Sequence, residues 1–280
     1  MTSQPVFIQV GALAEGFAPD SHILSPVDDL SGRTLRLDFT DGSAVTLNFV
    51  SADAVRTEHG EFECRVTSVR DGIYFVDYIG GDAGVDKQGN GGGARPVSTS
   101  YVLDVTQGLC TSVTGTLPNE SEARTDAFTR VERGMELTSV QASFRHGRIA
   151  QQGSAAASQT TLHHPTRELI GMRNLYTYSA TERYEHVYLN ENFYAWQCLS
   201  GVEAGLADVD RCHYIAIADD LFLFVWREKI IPTLGVVMID LARNKTDGKI
   251  FGYQGSQFGA LSNFPVGALA QVLNVTRYPQ

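Results

Sequence analysis

Residues 169–251 read LIGMRNLYTYSATERYEHVYLNENFYAWQCLSGVEAGLADVDRCHYIAIADDLFLFVWREKIIPTLGVVMIDLARNKTDGKIF, the densest run of strand formers in the chain. A strand sends alternate side chains to opposite faces. Tyr176 and Tyr178 therefore share one face, Tyr184, His186 and Tyr188 share a face of the next strand, and Trp226 and Glu228 share a face near the end of a later one. Tyrosines, a histidine and a glutamate gathered on one sheet face describe the lining of a pocket more than an aliphatic core.

Outward from that stretch, the N-terminal half repeats it. LSGRTLRLDFTDGSAVTLNFV (30–50) lies over LIGMRNLYTYSATERYEHVYL (169–189) without a gap, Gly32 on Gly171. GIYFVDY matches DLFLFVWRE, and YVLDVTQGLCTSVTG matches VVMIDLARNKTDGKIFG. A repeat of about 140 residues predicts a mostly β chain of two antiparallel barrels in tandem, with one or two short helices. The expected division is an N-terminal barrel over 1–150, a linker over 151–165 and a C-terminal barrel over 166–280. Leu37 and Phe39 stand where the second copy has Tyr176 and Tyr178, so the first interior should be filled or apolar and any chemistry should lie in the second.

Within the first half, Arg33–Phe39 and Ala44–Val50 flank an Asp41-Gly42 turn signal, and Phe62–Val69 and Ile73–Ile79 flank Asp71-Gly72. Strand character returns at Thr99–Thr106 and Cys110–Thr116. Residues 1–29 are punctuated by Pro and Gly and predict little regular structure. The glycine-rich stretch 80–96 lacks a following helix and a GK[ST], so an inter-strand loop is favoured over an anion cradle. Asn119 and Glu122 form a capping-box pattern that opens a helix with an apolar stripe of Ala123, Ala127, Phe128 and Val131. A strand is expected over Glu136–Ile149.

A net charge of −10 without a Lys/Arg-rich run argues against nucleic acid or an anionic membrane as partner. With 43% hydrophobic and 19% charged residues the chain is not globally disordered. Cys64, Cys110, Cys198 and Cys212 are widely spaced and read as reduced core thiols. No signal peptide and no membrane-length apolar run is visible, so a cytoplasmic protein is expected. His163 and His164 are adjacent and diverge on an extended chain, and no HxH, HExxH or CxxC occurs, so no metal is expected; without a GxSxG elbow a Ser-His-Asp hydrolase is disfavoured.

TRELIGMRNLYTYS, YEHVYLN, WQCLSGVEAGLADVDRCHY, FVWREKIIPTLGVV and GKIFGY resemble the molybdenum cofactor biosynthesis protein F (MoaF) family, closely in the second half and more loosely in the first. That family in turn resembles the phenolic acid decarboxylases, cofactor-free enzymes on a lipocalin-like (calycin-type) barrel. The resemblance implies that Tyr176 and Tyr178 hold a substrate carboxylate and that Glu228 works at the phenol end. The decarboxylases carry an arginine after the Gly-x-x-x-Gly, whereas Leu206 stands there in this chain.

The expected site is therefore Glu228, Tyr176, Tyr178 and His186 for proton transfer and charge stabilisation, with Tyr184, Tyr188, Trp196, Trp226 and Arg211 around the substrate. Each has a plainer alternative: the tyrosines as barrel packing, Glu228 in an ion pair with Lys229, His186 as a hydrogen-bonded core residue, Arg211 bound to Asp208 or Asp210. Arg173 is a weaker substitute cation. The activity expected is a cofactor-independent lyase or isomerase acting on a small aromatic or oxyanion-bearing metabolite. A non-catalytic carrier of a pterin-like molecule is the rival, a purely structural barrel pair the third reading, and a homodimer is compatible with each.

Overall fold

A computed structural model of the chain describes residues 6–17, 21–80, 95–150 and 160–277. Most of the glycine-rich stretch 80–96 and of the linker 151–165 lies outside the described residues. The chain divides into two compact units, one of Leu24–Thr116 with Ala142–His164, the other of Met1–Ile23, Leu117–Gln141 and Pro165–Gln280.

The first unit holds a closed eight-stranded antiparallel barrel: β1 (Thr34–Phe39), β2 (Ala44–Phe49), β3 (Ala54–Thr57), β4 (Gly60–Arg70), β5 (Ile73–Ile79), β6 (Val97–Asp104), β7 (Leu109–Thr116) and β8 (Gln141–Ile149). Its hairpins turn where Asp-Gly pairs stand, with Gly42 at φ +85° and Gly72 at φ +76°, backbone that glycine adopts without a Cβ clash. Asp41 reinforces its turn by accepting from the backbone N–H of Ser43 at 2.9 Å. Leu35, Leu37, Phe39, Leu47 and Phe49 fill the interior, all under 9% exposed. The expected strand over Glu136–Ile149 starts only at Gln141. Glu136 is instead held in the second unit by Arg227, whose Nη1 lies 2.7 Å from its carboxylate.

In the second unit, the two-residue β9 (His164–Pro165) precedes β10 (Met172–Thr177), β11 (Arg183–Tyr188), β12 (Phe193–Ser200), β13 (Ala207–Ala218), β14 (Leu221–Arg227), β15 (Thr233–Asp240), β16 (Lys245–Tyr253), β17 (Leu261–Val266) and β18 (Leu269–Val275). Eight of these close a ring in the order β12-β11-β10-β18-β16-β15-β14-β13 and back to β12, and β17 pairs with β16. The repeat shows in the hydrogen bonding. Gly32 N–H donates to Phe49 O, and Gly171 N–H donates to Tyr188 O, both at 2.8 Å. Both glycines have positive φ, +74° and +91°, so each copy opens with the same turn into the same hairpin.

Two expectations are corrected. Residues 1–29 are not without regular structure: α1 (Val10–Phe17) is a helix burying Val10, Leu13 and Phe17 on one side. Gly11 and Gly16 lower its intrinsic propensity, and packing against β16 and β17 overrides that cost. The capping-box segment is two short helices, α2 (Glu120–Ala123) and α3 (Ala127–Glu132). Asn119 and Glu122 do form the box, but Asp126 then caps a second start by accepting from Thr129 N–H. The break turns the apolar stripe outward, leaving Phe128 73% and Val131 63% exposed. Arg130 is the buried residue, donating to the carbonyls of Thr125, Glu122 and Glu136.

Candidate functional site in the second barrel

The alternation of β10 to β14 places one aromatic ring after another on the inner face. Register sets Tyr176 opposite Tyr184, His186 opposite Trp196, Tyr188 opposite Tyr194, and Cys212 opposite Trp226. Inward Tyr178, Tyr184, His186, Tyr194, Trp196, Trp226 and Glu228 surround a cavity together with Glu203, Ile250, Leu13 and Phe17. Six of the expected residues thus meet there: Tyr178, Tyr184, His186, Trp196, Trp226 and Glu228.

Tyr176, Tyr188 and Arg211 do not. The Tyr176 and Tyr188 hydroxyls lie 2.6 Å apart, and Asn174 donates to Tyr176 from 3.1 Å, so both phenols are spent on each other below the cavity. Burial raises the Tyr176 pKa to about 12. Arg211 follows the inward Asp210 on β13 and faces out, where its Nη2 lies 2.9 Å from Glu136 and its guanidinium covers the Phe193 ring. Asp208 and Asp210 are engaged by Lys229 instead, which leaves Glu228 without that lysine as a partner. Arg173 is also outside, bound to Glu185 by two hydrogen bonds of 2.7 and 2.9 Å. Leu206, at the position of the decarboxylase arginine, is a core residue 7% exposed.

The Glu228 carboxyl accepts from Trp226 Nε1 at 2.9 Å. Burial, followed by the nearby charges of Asp210 and Glu203, drives its pKa well above the carboxylate range. Glu228 as a residue is half-buried, but its carboxyl is the enclosed part, and that local setting governs the proton. Asp210 accepts from Trp196 Nε1 at 2.9 Å, and Glu203 accepts from the Tyr184 hydroxyl at 3.1 Å. Burial raises both of these carboxyls as well. His186 is 6% exposed, burial lowers its pKa to about 3, and its Nδ1 has no hydrogen-bond partner among the described residues. It is a neutral imidazole against the Tyr176 and Tyr194 rings. Among the described residues neither the Tyr178 nor the Tyr194 hydroxyl has a hydrogen-bond partner, and burial raises the pKa of both phenols.

The space left open is about 30 Å³, room for roughly two water molecules. A ligand-sized void was the expectation; the space found is smaller, filled by the strand aromatics together with Leu13 and Phe17 of α1. Phe17 sits edge-on to Tyr178 with ring centroids 4.7 Å apart, and contacts Tyr184 at 5.7 Å and Phe264 at 5.9 Å.

Tyr194 and Glu203 were absent from the sequence-based site. Tyr194 was legible, since it alternates with Trp196 on β12. Glu203 comes from the turn between β12 and β13, and only the folded chain brings it back over Tyr184. Among the described residues no group of three or more His, Cys, Asp or Glu could hold a metal ion, and the four cysteines are buried free thiols. Among the described residues no helix is long and apolar enough to cross a membrane.

Trp226 lies across the β14–β15 ladder from Gly235, and a Cβ on that glycine would overlap the indole. Gly235→Ala is expected to cost about 1–3 kcal/mol through overpacking and to shift tryptophan emission. A urea midpoint and spectrum equal to the native ones would show that the indole has slack.

The MoaF N-terminal domain matches residues 5–119, and the MoaF C-terminal domain matches residues 163–276. Protein MoaF of Klebsiella aerogenes is 49% identical over 282 residues, covering 100% of both chains. A solved structure titled "Crystal Structure of a putative beta-lactamase from Burkholderia vietnamiensis" aligns with 39% of this chain and 98% of its own at 14% identity and a TM-score of 0.32, too low to carry any argument. Two domain matches in the order of the two barrels, with full-length identity to a curated relative, place this chain in the MoaF family.

Proposed function

We propose that the second barrel is a cofactor-independent lyase or isomerase for a small aromatic metabolite. The observation that carries this reading is a carboxyl of raised pKa, Glu228, facing an aromatic cavity in which the Tyr178 and Tyr194 hydroxyls have no partner among the described residues. A carboxyl of raised pKa can deliver a proton to a reacting carbon or leaving oxygen and take one back. Phenol donors without other partners stabilise a developing phenolate or enolate more in a dry site than they would in water. His186, neutral and unpartnered at Nδ1, can relay the proton or orient the substrate.

Purified full-length chain incubated with small phenolic and α,β-unsaturated compounds, without added cofactor, should consume at least one of them. Tyr178→Phe should slow that turnover about tenfold, the worth of one hydrogen bond. Binding without consumption across the panel would leave a carrier in place of an enzyme.

A further inference from the structure

Building on the second barrel as an aromatic-lined small-molecule site, we infer that its ligand is an aromatic ring bearing a positively charged nitrogen on a short arm, an aromatic ammonium compound in place of an aromatic carboxylate. The lining contains two carboxyls, Glu228 and Glu203, with Asp210 behind Trp196, and no Lys or Arg. Cations on β10, β13 and β14 and just after β14 are committed elsewhere: Lys229 to Asp208 and the Val209 carbonyl, Arg211 and Arg227 to Glu136, Arg173 to Glu185. A ligand carboxylate would find no counter-ion in the lining and would have to lose its charge or disfavour that of Glu228 and Glu203, which is costly in an enclosed site. An ammonium group would let Glu228 and Glu203 ionise opposite it and would meet the faces of Trp226 and Tyr194.

A second observation points the same way. His186 is 94% buried, lines the cavity, and its Nδ1 lacks any partner. Burial keeps this imidazole neutral, so a ring nitrogen remains as acceptor for an ammonium N–H. The ring half of the ligand is indicated by Phe17, whose own ring is seated edge-on to Tyr178 and beside Tyr184. The charged arm then extends from that seat toward Glu203 and Glu228.

The chain's two tryptophans, Trp196 and Trp226, both line the cavity, so intrinsic fluorescence reports on it directly. The full-length protein is titrated with 2-phenylethylammonium, 2-phenylethanol and 3-phenylpropanoate, which share a ring and differ in charge. At pH 7 the ammonium should bind at least about tenfold tighter than the alcohol, with the carboxylate weakest, a difference of about 1.4 kcal/mol. The groups around the charged arm are Glu228, Glu203, Asp210, Asp208, Glu182, Lys229, Tyr184, Tyr194 and His186. Because the raised carboxyls must ionise, ammonium affinity should rise with pH while alcohol affinity stays flat. Glu203→Gln should shrink the ammonium-to-alcohol preference severalfold, and Glu203→Asp should keep it. Carboxylate binding equal to or tighter than ammonium binding overturns the inference and leaves the aromatic site standing. A preference untouched in both Glu203→Gln and Glu228→Gln also overturns it, since the charge would then be read elsewhere. No response to any of the three rings, in the native chain or in Phe17→Ala, overturns the small-molecule site itself.

Discussion

Glu228→Gln should lower turnover roughly 10²- to 10⁴-fold, the range for loss of a positioned proton donor, while a bound ring still perturbs tryptophan emission. Glutamine keeps the size of the side chain and can still accept from Trp226 Nε1, so the aromatic box should survive. With Glu228 as the proposed proton donor, turnover by the native chain should fall as pH rises through the Glu228 pKa, and the variant should lack that limb. The same variant has a stability signature that does not depend on any substrate. Burial and the Asp210 and Glu203 charges raise this carboxyl in the folded chain, whereas the unfolded chain ionises above about pH 4. Between those two pKa values the folded state holds a proton that the unfolded state has released. Native stability therefore falls as pH rises through that window. Glu228→Gln should be more stable than the native chain at pH 7 by about 1 kcal/mol or more, the equivalent of one pKa unit, and nearly equal to it at pH 4. Urea denaturation at the two pH values measures this. A variant less stable at pH 7 would mean that the ionised carboxyl is satisfied in the fold and is no proton reservoir.

Phe17→Ala should raise affinity for aromatic ligands roughly 10- to 100-fold, because a ligand no longer has to displace a buried phenylalanine ring worth about 1.5–3 kcal/mol. The ring is 4% exposed and inserts between Tyr178, Tyr184 and Phe264. Its removal should also lower stability, by up to about 3 kcal/mol at the small end of the Phe→Ala range. The two effects have opposite signs and are read separately, by fluorescence titration and by denaturation. Loss of stability with unchanged affinity would mean that ligands reach the cavity by another route and that α1 is structural only.

Much of the barrel architecture was legible residue by residue. Asp41-Gly42 and Asp71-Gly72 became the hairpin turns they suggested, and Gly32 and Gly171 open matching hairpins with equal hydrogen bonds. Inward placement of Tyr178, Tyr184, His186 and Trp226 followed from period two alone, because the side-chain direction of a strand residue is a local property. At the aligned positions the first interior has Leu37, Leu47 and Phe49 where the second has Tyr176, His186 and Tyr188. Tyr74, Tyr78 and Tyr101 are also buried in the first core, which the alignment alone did not show. The helical stripe through Phe128 and Val131 misled, since one aspartate at position 126 started a new helix and changed which side faces the protein.

By itself the sequence determined two curled antiparallel sheets, their hairpins, and the polar aromatic face of the second, since each depends on residues near one another in the chain. The tertiary structure alone decided what that face is worth chemically. Register and closure join the Tyr176 and Tyr188 hydroxyls and withdraw them from the cavity. They also bring Glu203 from a turn, and Leu13 and Phe17 from a segment more than 150 residues away, up against Tyr178 and Glu228. Alternation says which side of a strand a group is on, whereas its partner, its proton and its access to a ligand depend on atoms that only a closed barrel places beside it.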